Sequence, residues 1–234
     1  MPRVPEVADD DSRPVIHHFD ERSWRAWRPG CEELREHPTE YLASQAPLDR
    51  LYLATDGGGA LGTLGYVAVP AHDADQFYAE STPIWWVPSR IYDLRDTWAS
   101  FYLKAITRIE VADGYTPHLF IAATFPDPQA DRGFSIDGWY LARPLEVGQG
   151  TWAYNEMHLA NDPAQWVQYV DMPRTLDWTL GHCGFIGWMY RKGKNSRGVA
   201  ANGTMGWDEF CFNLRQGDLA AVRAGRAPQH ARVI

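Results

Sequence analysis

The chain has 234 residues, 45% of them apolar, enough to bury a substantial core in one compact unit. A formal charge of −8 supplies no positive field to attract a phosphate backbone, and no apolar run reaches the ~20 residues of a membrane-spanning helix. The three cysteines, Cys31, Cys183 and Cys211, are odd in number and widely spaced, which argues for reduced thiols behaving as small apolar groups rather than a disulfide framework or zinc knuckle.

The opening MPRVPEVADDDSRP lacks the apolar stretch of a secretory signal, so the chain is expected to be made in the cytoplasm as a soluble protein, with residues 1–14 a loose acidic arm. Between residues 23 and 46 prolines leave room only for a short helix in CEELREH. From residue 51 onward, short β-branched and aromatic segments are each closed by Gly, Pro, Asp or Asn. These predict strands over 51–55, 62–69, 91–95, 97–106, 117–125, 134–142, 151–159, 165–170, 175–180, 184–190, 198–202 and 207–214. Without intervening crossover helices such strands pair antiparallel, which predicts an all-β jelly-roll sandwich with few short helices. The boundaries expected are an irregular N-terminal segment at 1–50 packed on the sandwich, the sandwich itself at 51–215 and a tail at 216–234. QGDLAAVRAG in that tail can make a helical turn or two.

The chain holds 11 Trp and 11 Tyr, rings with a polar tip that favour recognition surfaces. In TWASFYLKA the alternation puts Trp98, Ser100, Tyr102 and Lys104 on one side and Ala99, Phe101, Leu103 and Ala105 on the other. TWAYNEMHL splits in the same way: Trp152, Tyr154, Glu156 and His158 lie together, while Asn155, Met157 and Leu159 turn away. In SIDGWYL, Ser135, Asp137 and Trp139 share a side. Flat rings beside carboxylate, imidazole and ammonium groups suit sugars, whose C–H faces stack on rings and whose hydroxyls bond polar groups. The candidate ligand-binding residues are therefore Trp98, Tyr102, Lys104, Trp139, Trp152, Tyr154, Glu156 and His158. The competing account is an ordinary outer sheet face, where cross-strand aromatic pairs contribute ~0.2–1 kcal/mol without any ligand.

The succession YDLRDTWASFYLKA, HLFIAATF, FSIDGWYLARPLEV, GTWAYNEMHLANDPAQW and GTMGWDEFCFNL resembles the concanavalin A-like lectin and glucanase superfamily over roughly residues 60–214. The resemblance implies a jelly roll, a turn at residues 203–210 introducing the last core strand, and a glycan partner. A narrower similarity links the tryptophan-rich chain, with D-L-R before S-F-Y-L-K, to lectin-like minor tail proteins of phages infecting actinobacteria. That similarity implies a virion appendage, assembled as a homo-oligomer or within a larger particle, binding cell-wall polysaccharide in many copies.

Catalysis on this fold needs paired carboxyl groups about 5–5.5 Å apart in a retaining glycosidase. The strand that would carry them reads Tyr154-Asn155-Glu156-Met157-His158, with one carboxylate, so binding without turnover is the leading expectation. If the chain is an enzyme, Glu156 with Asp137, or Glu156 with His158, would supply acid and base. A purely structural subunit is the remaining alternative. The glycine run 57–62 fits G-x-G-x-x-G but leads into a strand, so a hairpin connection at 56–59 is expected, not a dinucleotide site. His17, His18 and Asp20 make a poor metal set, because neighbours on a strand face opposite ways. Cys183 beside His182 lacks an orienting third group for nucleophilic chemistry. No cofactor is required; Ca²⁺ is possible at Asn161, Asp162 or Asp208, although these residues also suit ordinary turns.

Overall fold

The computed structural model describes residues 13–17, 27–30, 52–54, 56–74, 78–81, 91–130, 134–168, 173–193, 201–229 and 231–233. Cys31, His18, Asp20, the CEELREH segment and most of the N-terminal arm lie outside the described residues, as does the side chain of His17.

Among the described residues fifteen strands run in chain order. They are β1 (Val15–His17), β2 (Trp27–Gly30), β3 (Tyr52–Ala54), β4 (Tyr66–Ala74), β5 (Tyr78–Ser81), β6 (Thr97–Ala105), β7 (Glu110–Val111) and β8 (Thr116–Pro126). There follow β9 (Phe134–Leu141), β10 (Gly148–Gln149), β11 (Ala153–Leu159), β12 (Trp166–Gln168), β13 (Phe185–Arg191), β14 (Ala201–Leu214) and β15 (Arg232–Val233). Two short helices, α1 (Leu176–Gly181) and α2 (Leu219–Arg223), and three 3-10 turns, Ala60–Gly62, Pro163–Gln165 and Gln216–Asp218, complete the described elements.

The strands form two sheets. The first is built around β14, which pairs with β6 on one side and with β4 and β1 on the other; β11 and β10 lie beyond β6, and β3 and β15 lie at the far margin. The second has the order β12-β9-β8-β13-β5-β2. Pairing is antiparallel except for the two-residue contacts of β1 with β15 and β10 with β6. The described parts of the N- and C-terminal segments thus supply strands to both sheets.

One apolar core lies between the sheets. Ala99, Phe101, Leu103, Trp207, Phe210 and Phe212 from the first meet Leu119, Ile121, Ile186 and Trp188 from the second, and the Trp188 and Trp207 rings come within 5.9 Å. Each set has period two along its strands, because side chains of a strand alternate between faces, except between Trp207 and Phe210, where a bulge in β14 adds one residue. Ring pairs such as Phe101–Trp207 (5.3 Å) and Phe101–Phe210 (5.5 Å) fill this layer. The outer face of the second sheet is also buried, around Phe120, Tyr140, Phe185 and Met189.

Three sequence expectations fail locally. Residues 175–180 form a helical turn, not a strand: Thr175 caps α1 by accepting from the Trp178 amide, and Leu176 and Leu180, four apart, go into the core. Residues 91–95 form an isolated bridge between Tyr92 and Cys183 instead of a strand. Residues 201–214 are one continuous strand, so the expected turn at 203–210 is absent. Gly203 and Gly206 lie within this strand where other groups come close: a Cβ at Gly203 would lie 2.4 Å from the Arg108 carbonyl oxygen, and one at Gly206 would lie 3.0 Å from the Trp152 ring.

Candidate functional site

Strands β6 and β11 pair with a register that sets the two predicted rows beside each other. His158 faces Trp98, Glu156 faces Ser100 and Tyr154 faces Tyr102. Their partners on the alternate positions, Phe101, Leu103, Met157 and Leu159, are in the core, so the paired rows project from the outside of the first sheet. Trp98, Tyr102, Lys104, Trp152, Tyr154, Glu156 and His158 are all half-buried there.

The rows form three tiers. Trp98 and His158 stack, with centroids 4.6 Å apart and planes inclined by 23°. His158 makes no hydrogen bond among the described residues, leaving its ring nitrogens available. Tyr102 and Tyr154 tilt against each other at 5.1 Å. In the third tier Lys104 Nζ lies 4.7 Å from the Trp152 ring and 5.3 Å from the Tyr66 ring, a cation held over two aromatic faces. The Tyr66 ring meets Trp152 edge-on at 5.3 Å.

Glu156 stands between the first and second tiers. Its carboxylate accepts from the Tyr154 hydroxyl (3.0 Å) and, through both oxygens, from Arg223 Nε (2.8 Å) and Nη2 (2.6 Å) at the end of α2. The Arg223 hydrogen bonds hold the Glu156 carboxyl below the usual carboxylate range, against burial, so it is ionised near neutral pH. Of about four lone-pair positions on a carboxylate, these bonds occupy three. Burial, reinforced by Glu156, pushes the Tyr154 phenol up, which keeps it a hydrogen-bond donor.

Two segments border this face. The turn at residues 56–65 approaches at the Trp152 end, where Gly58 carbonyl oxygen accepts from Trp152 Nε1 (2.9 Å) and Lys104 Nζ (3.4 Å). That turn is fastened by the buried Asp208, which accepts from the Ala60 amide (2.7 Å), Thr63 Oγ1 (2.9 Å) and the Glu209 amide (2.8 Å). Burial raises the Asp208 carboxyl to about 7, more than these bonds lower it. At the opposite end α2 lays Leu219 and Val222 against Ile16, Cys211, Leu214 and the edge of Trp98. Between the two segments lies a shallow depression of about 10 Å³, room for about one water, bordered by Leu61, Tyr102, Glu209, Val222 and Arg226.

The structure does not bring the remaining predicted residues to this face. Trp139 lies on β9 of the second sheet opposite Ile121 and packs against the inter-sheet core. Asp137, fully buried on the same strand, accepts from Trp139 Nε1 (3.1 Å), Gln168 Nε2 (3.0 Å) and Thr179 Oγ1 (2.6 Å). A carboxyl group inside the second sheet cannot partner one on the outside of the first, so Asp137 and Glu156 do not form a catalytic pair. Asn161 donates to Asp177, and Asp162 caps the 3-10 turn at Pro163–Gln165. Among the described residues no group of three His, Cys, Asp or Glu is placed to hold a metal ion. Cys183 and Cys211 are buried thiols, and burial pushes Cys183 up to about 12, far from a nucleophilic thiolate.

Sequence reasoning misses Tyr66 and Arg223, and it places a hairpin connection at 56–59 without its contact with this face. The glycine run at 57–59 signals the turn but not its landing place, and an arginine in the last turn of a short helix gives no hint that its partner is 67 residues away.

No family model matches the chain, and no curated protein matches it. Among solved structures it is similar to a family 11 carbohydrate-binding module from Clostridium thermocellum in complex with a β-1,3-1,4-mixed-linked tetrasaccharide. That match has a TM-score of 0.41 and 14% identity, covering 70% of this chain and 82% of the other. The CBM22-1 xylan-binding domain of Paenibacillus barcinonensis Xyn10C matches with TM-score 0.37 and 9% identity over 90% of this chain and 99% of the other. The Caldicellulosiruptor saccharolyticus CBM27-1 in complex with mannohexaose matches with TM-score 0.35 and 11% identity over 85% and 96%. At this distance the likenesses assign the chain to no family, and the sandwich architecture rests on the strand pairing itself.

Proposed function

We propose that the outer face of β6 and β11 binds a glycan without turning it over. The observation that carries this reading is the tiered arrangement of half-exposed Trp98–His158, Tyr102–Tyr154 and Lys104–Trp152 around one oriented carboxylate. The rings offer apolar surface to C–H faces. Glu156, His158 and the tyrosine hydroxyls offer hydrogen-bonding atoms at intervals set by the strand repeat of about 6.8 Å between same-face side chains. Glu156 is charge-paired with Arg223 and ionised, a state suited to accepting a hydroxyl proton in a hydrogen bond and unsuited to general acid catalysis. As a finer form of the same reading, carriage in many copies on a surface appendage such as a phage tail would convert weak single-site binding into avidity.

A glycan array followed by titration calorimetry tests the proposal, with reaction mixtures analysed by mass spectrometry. Retention of an oligosaccharide, no cleavage products, and at least tenfold weaker binding by Trp98→Ala and Tyr154→Phe are the expected results. Wild-type affinity in both variants would place the ligand elsewhere, and product release abolished by Glu156→Gln would make the protein an enzyme.

A further inference from the structure

Asp208 is fully buried beneath the 56–65 turn, and among the described residues no basic group forms an ion pair with it. What it holds is the turn, through the Ala60 amide (2.7 Å) and the Thr63 hydroxyl (2.9 Å). Two residues before Ala60, the Gly58 carbonyl oxygen accepts from Trp152 Nε1 (2.9 Å) and Lys104 Nζ (3.4 Å). One short segment thus connects a buried titratable group to two side chains of the third tier.

The Thr63 hydroxyl identifies the protonation state that suits the seated turn. Its oxygen lies 2.9 Å from Asp208 Oδ2, 2.9 Å from the Ala60 carbonyl oxygen and 3.4 Å from the Gly65 carbonyl oxygen. A hydroxyl has one proton to give, and a carbonyl oxygen has none. When Thr63 donates to Ala60, its contact with Asp208 is a hydrogen bond only if the carboxyl group brings a proton of its own. With Asp208 ionised, the Thr63 proton turns to the carboxylate, and the Ala60 carbonyl oxygen keeps only the Thr63 amide (3.0 Å). Both 2.9 Å contacts are therefore hydrogen bonds in the neutral state alone. The ionised state also leaves an unpaired charge out of water beside Glu209, which is costly until water reaches it.

We propose that Asp208 and Thr63 are positioning residues that form a protonation-sensitive latch: the neutral carboxyl seats the 56–65 turn on Trp152 and Lys104, and the carboxylate lets the turn lift. Lifting admits water to the charge and takes the Gly58 carbonyl away from both side chains, so Trp152 regains rotation and the third tier loses its fixed geometry. A hydrated aspartate titrates at about 3.9, whereas burial raises the seated one to about 7. Lifting therefore becomes easier as pH rises from about 4 to 7, and no easier above that. Around Asp208, burial pushes Tyr102 on β6 and Cys211 on β14 up, and both stay neutral through this window. Lys104 on β6 is turned to Gly58 and its two rings, and Asp56 in the turn accepts from the Tyr66 hydroxyl on β4 (3.2 Å). Glu209 on β14 raises Asp208 further, and Arg226 beyond α2 borders the depression beside Glu209. The effect of the latch on binding rests on the glycan reading of the face; its motion does not.

The motion is tested by ¹H–¹⁵N NMR of the full chain from pH 4.5 to 8.5, following the Trp152 indole N–H, which is identified by its loss in Trp152→Phe. The wild-type signal should move in one step that is complete by about pH 7. Asp208→Asn should hold it near the low-pH position throughout. Thr63→Val should shift the pH 5 signal toward the lifted position, and Thr63→Ser should restore it, each with a dispersed folded spectrum. A wild-type signal that stays in place, or a step that persists in Asp208→Asn, would overturn the latch. Calorimetry with the oligosaccharide retained best on the array should show about threefold weaker binding at pH 8 than at pH 5, the loss expected when two chains in three have the turn lifted. Asp208→Asn should bind equally at both. An indole step with unchanged wild-type affinity, or a pH-dependent affinity that survives in Asp208→Asn, would overturn the positioning role and leave the glycan face standing. An array that retains nothing would refute the glycan reading, with the latch then standing or falling on the indole step.

Discussion

Asp208 makes the fold depend on pH in a direction opposite to that of most carboxylates. An unfolded aspartate titrates at about 3.9, whereas burial raises this one to about 7 in the folded chain. Between those values the folded state retains a proton that the unfolded state has released, so stability falls as pH rises. The contribution is fully present below pH 4, is lost across the window from about 4 to 7, and is constant above it. A gap of about three units at 1.36 kcal/mol each gives a loss of at most about 4 kcal/mol. Substitution by asparagine removes the ionisation and, with only one acceptor oxygen for the Ala60 amide, Thr63 hydroxyl and Glu209 amide, sacrifices a hydrogen bond worth about 1 kcal/mol. Urea unfolding at pH 4.5, 5.5, 6.5 and 7.5 should therefore find Asp208→Asn about level with the wild type at the lowest pH and about 3 kcal/mol more stable at the highest. A stability difference constant across the series would mean that Asp208 is ionised throughout in the folded protein, and the account of the turn as anchored on a buried, protonatable carboxyl would fall.

Three further outcomes follow from the packing and the polar network. Phe101→Ala empties a fully buried position between Trp207 and Phe210 and should cost about 3–5 kcal/mol in denaturant unfolding; a cost below 1 kcal/mol would show that the two faces of β6 have been assigned wrongly. Asp137→Asn disturbs three donors to a fully buried carboxylate and should cost about 2 kcal/mol, which lowers Tm by about 4–8 °C for a chain of this size, with glycan binding unchanged. Gly203→Ala forces a Cβ against the Arg108 carbonyl at φ 125°, so circular dichroism melts should show a loss of more than about 2 kcal/mol, against little change for Gly217→Ala, where nothing lies within 4 Å.

The strands that alternate most cleanly were legible from sequence because their two faces have different solvents. In β6 and β11 the inner residues are Ala, Phe, Leu and Met, with Thr97 and Asn155 the exceptions, and the outer ones carry polar atoms, so period two reveals both the element and its orientation. In β13 every position is buried, and the run is recognised only as β-rich. Thr175 to Leu180 misleads for a different reason: threonine and tryptophan favour strands, but the cap formed by Thr175 and the Leu176–Leu180 spacing decide the local conformation. Glycines 203 and 206 read as interruptions when taken one by one. In the folded chain they are the places where another group crosses close above β14, which is knowledge of tertiary structure.

Periodicity also leaves undecided which sheet a face belongs to, and this explains the division of the candidate residues. Trp139 and Asp137 satisfy the same alternation as Trp98 and Glu156, yet β9 turns those side chains inward. Nor does alternation reveal what lies over an outward face. The 56–65 turn and α2 leave the aromatic rows half-buried, and this cover is itself part of the chemistry. A carboxylate on an open sheet would be screened by water and free to change rotamer, whereas Glu156, clasped by Arg223 and Tyr154, has one orientation and one protonation state near neutral pH. A Trp152 ring on an open sheet would likewise keep rotational freedom to lose on binding. Here the Gly58 carbonyl, the Tyr66 edge and the Gly206 backbone fix it in advance. The partial cover thus gives up exposed area in exchange for groups that are already ordered before any ring arrives, and ordering of that kind lets a small surface of few residues discriminate one hydroxyl pattern from another.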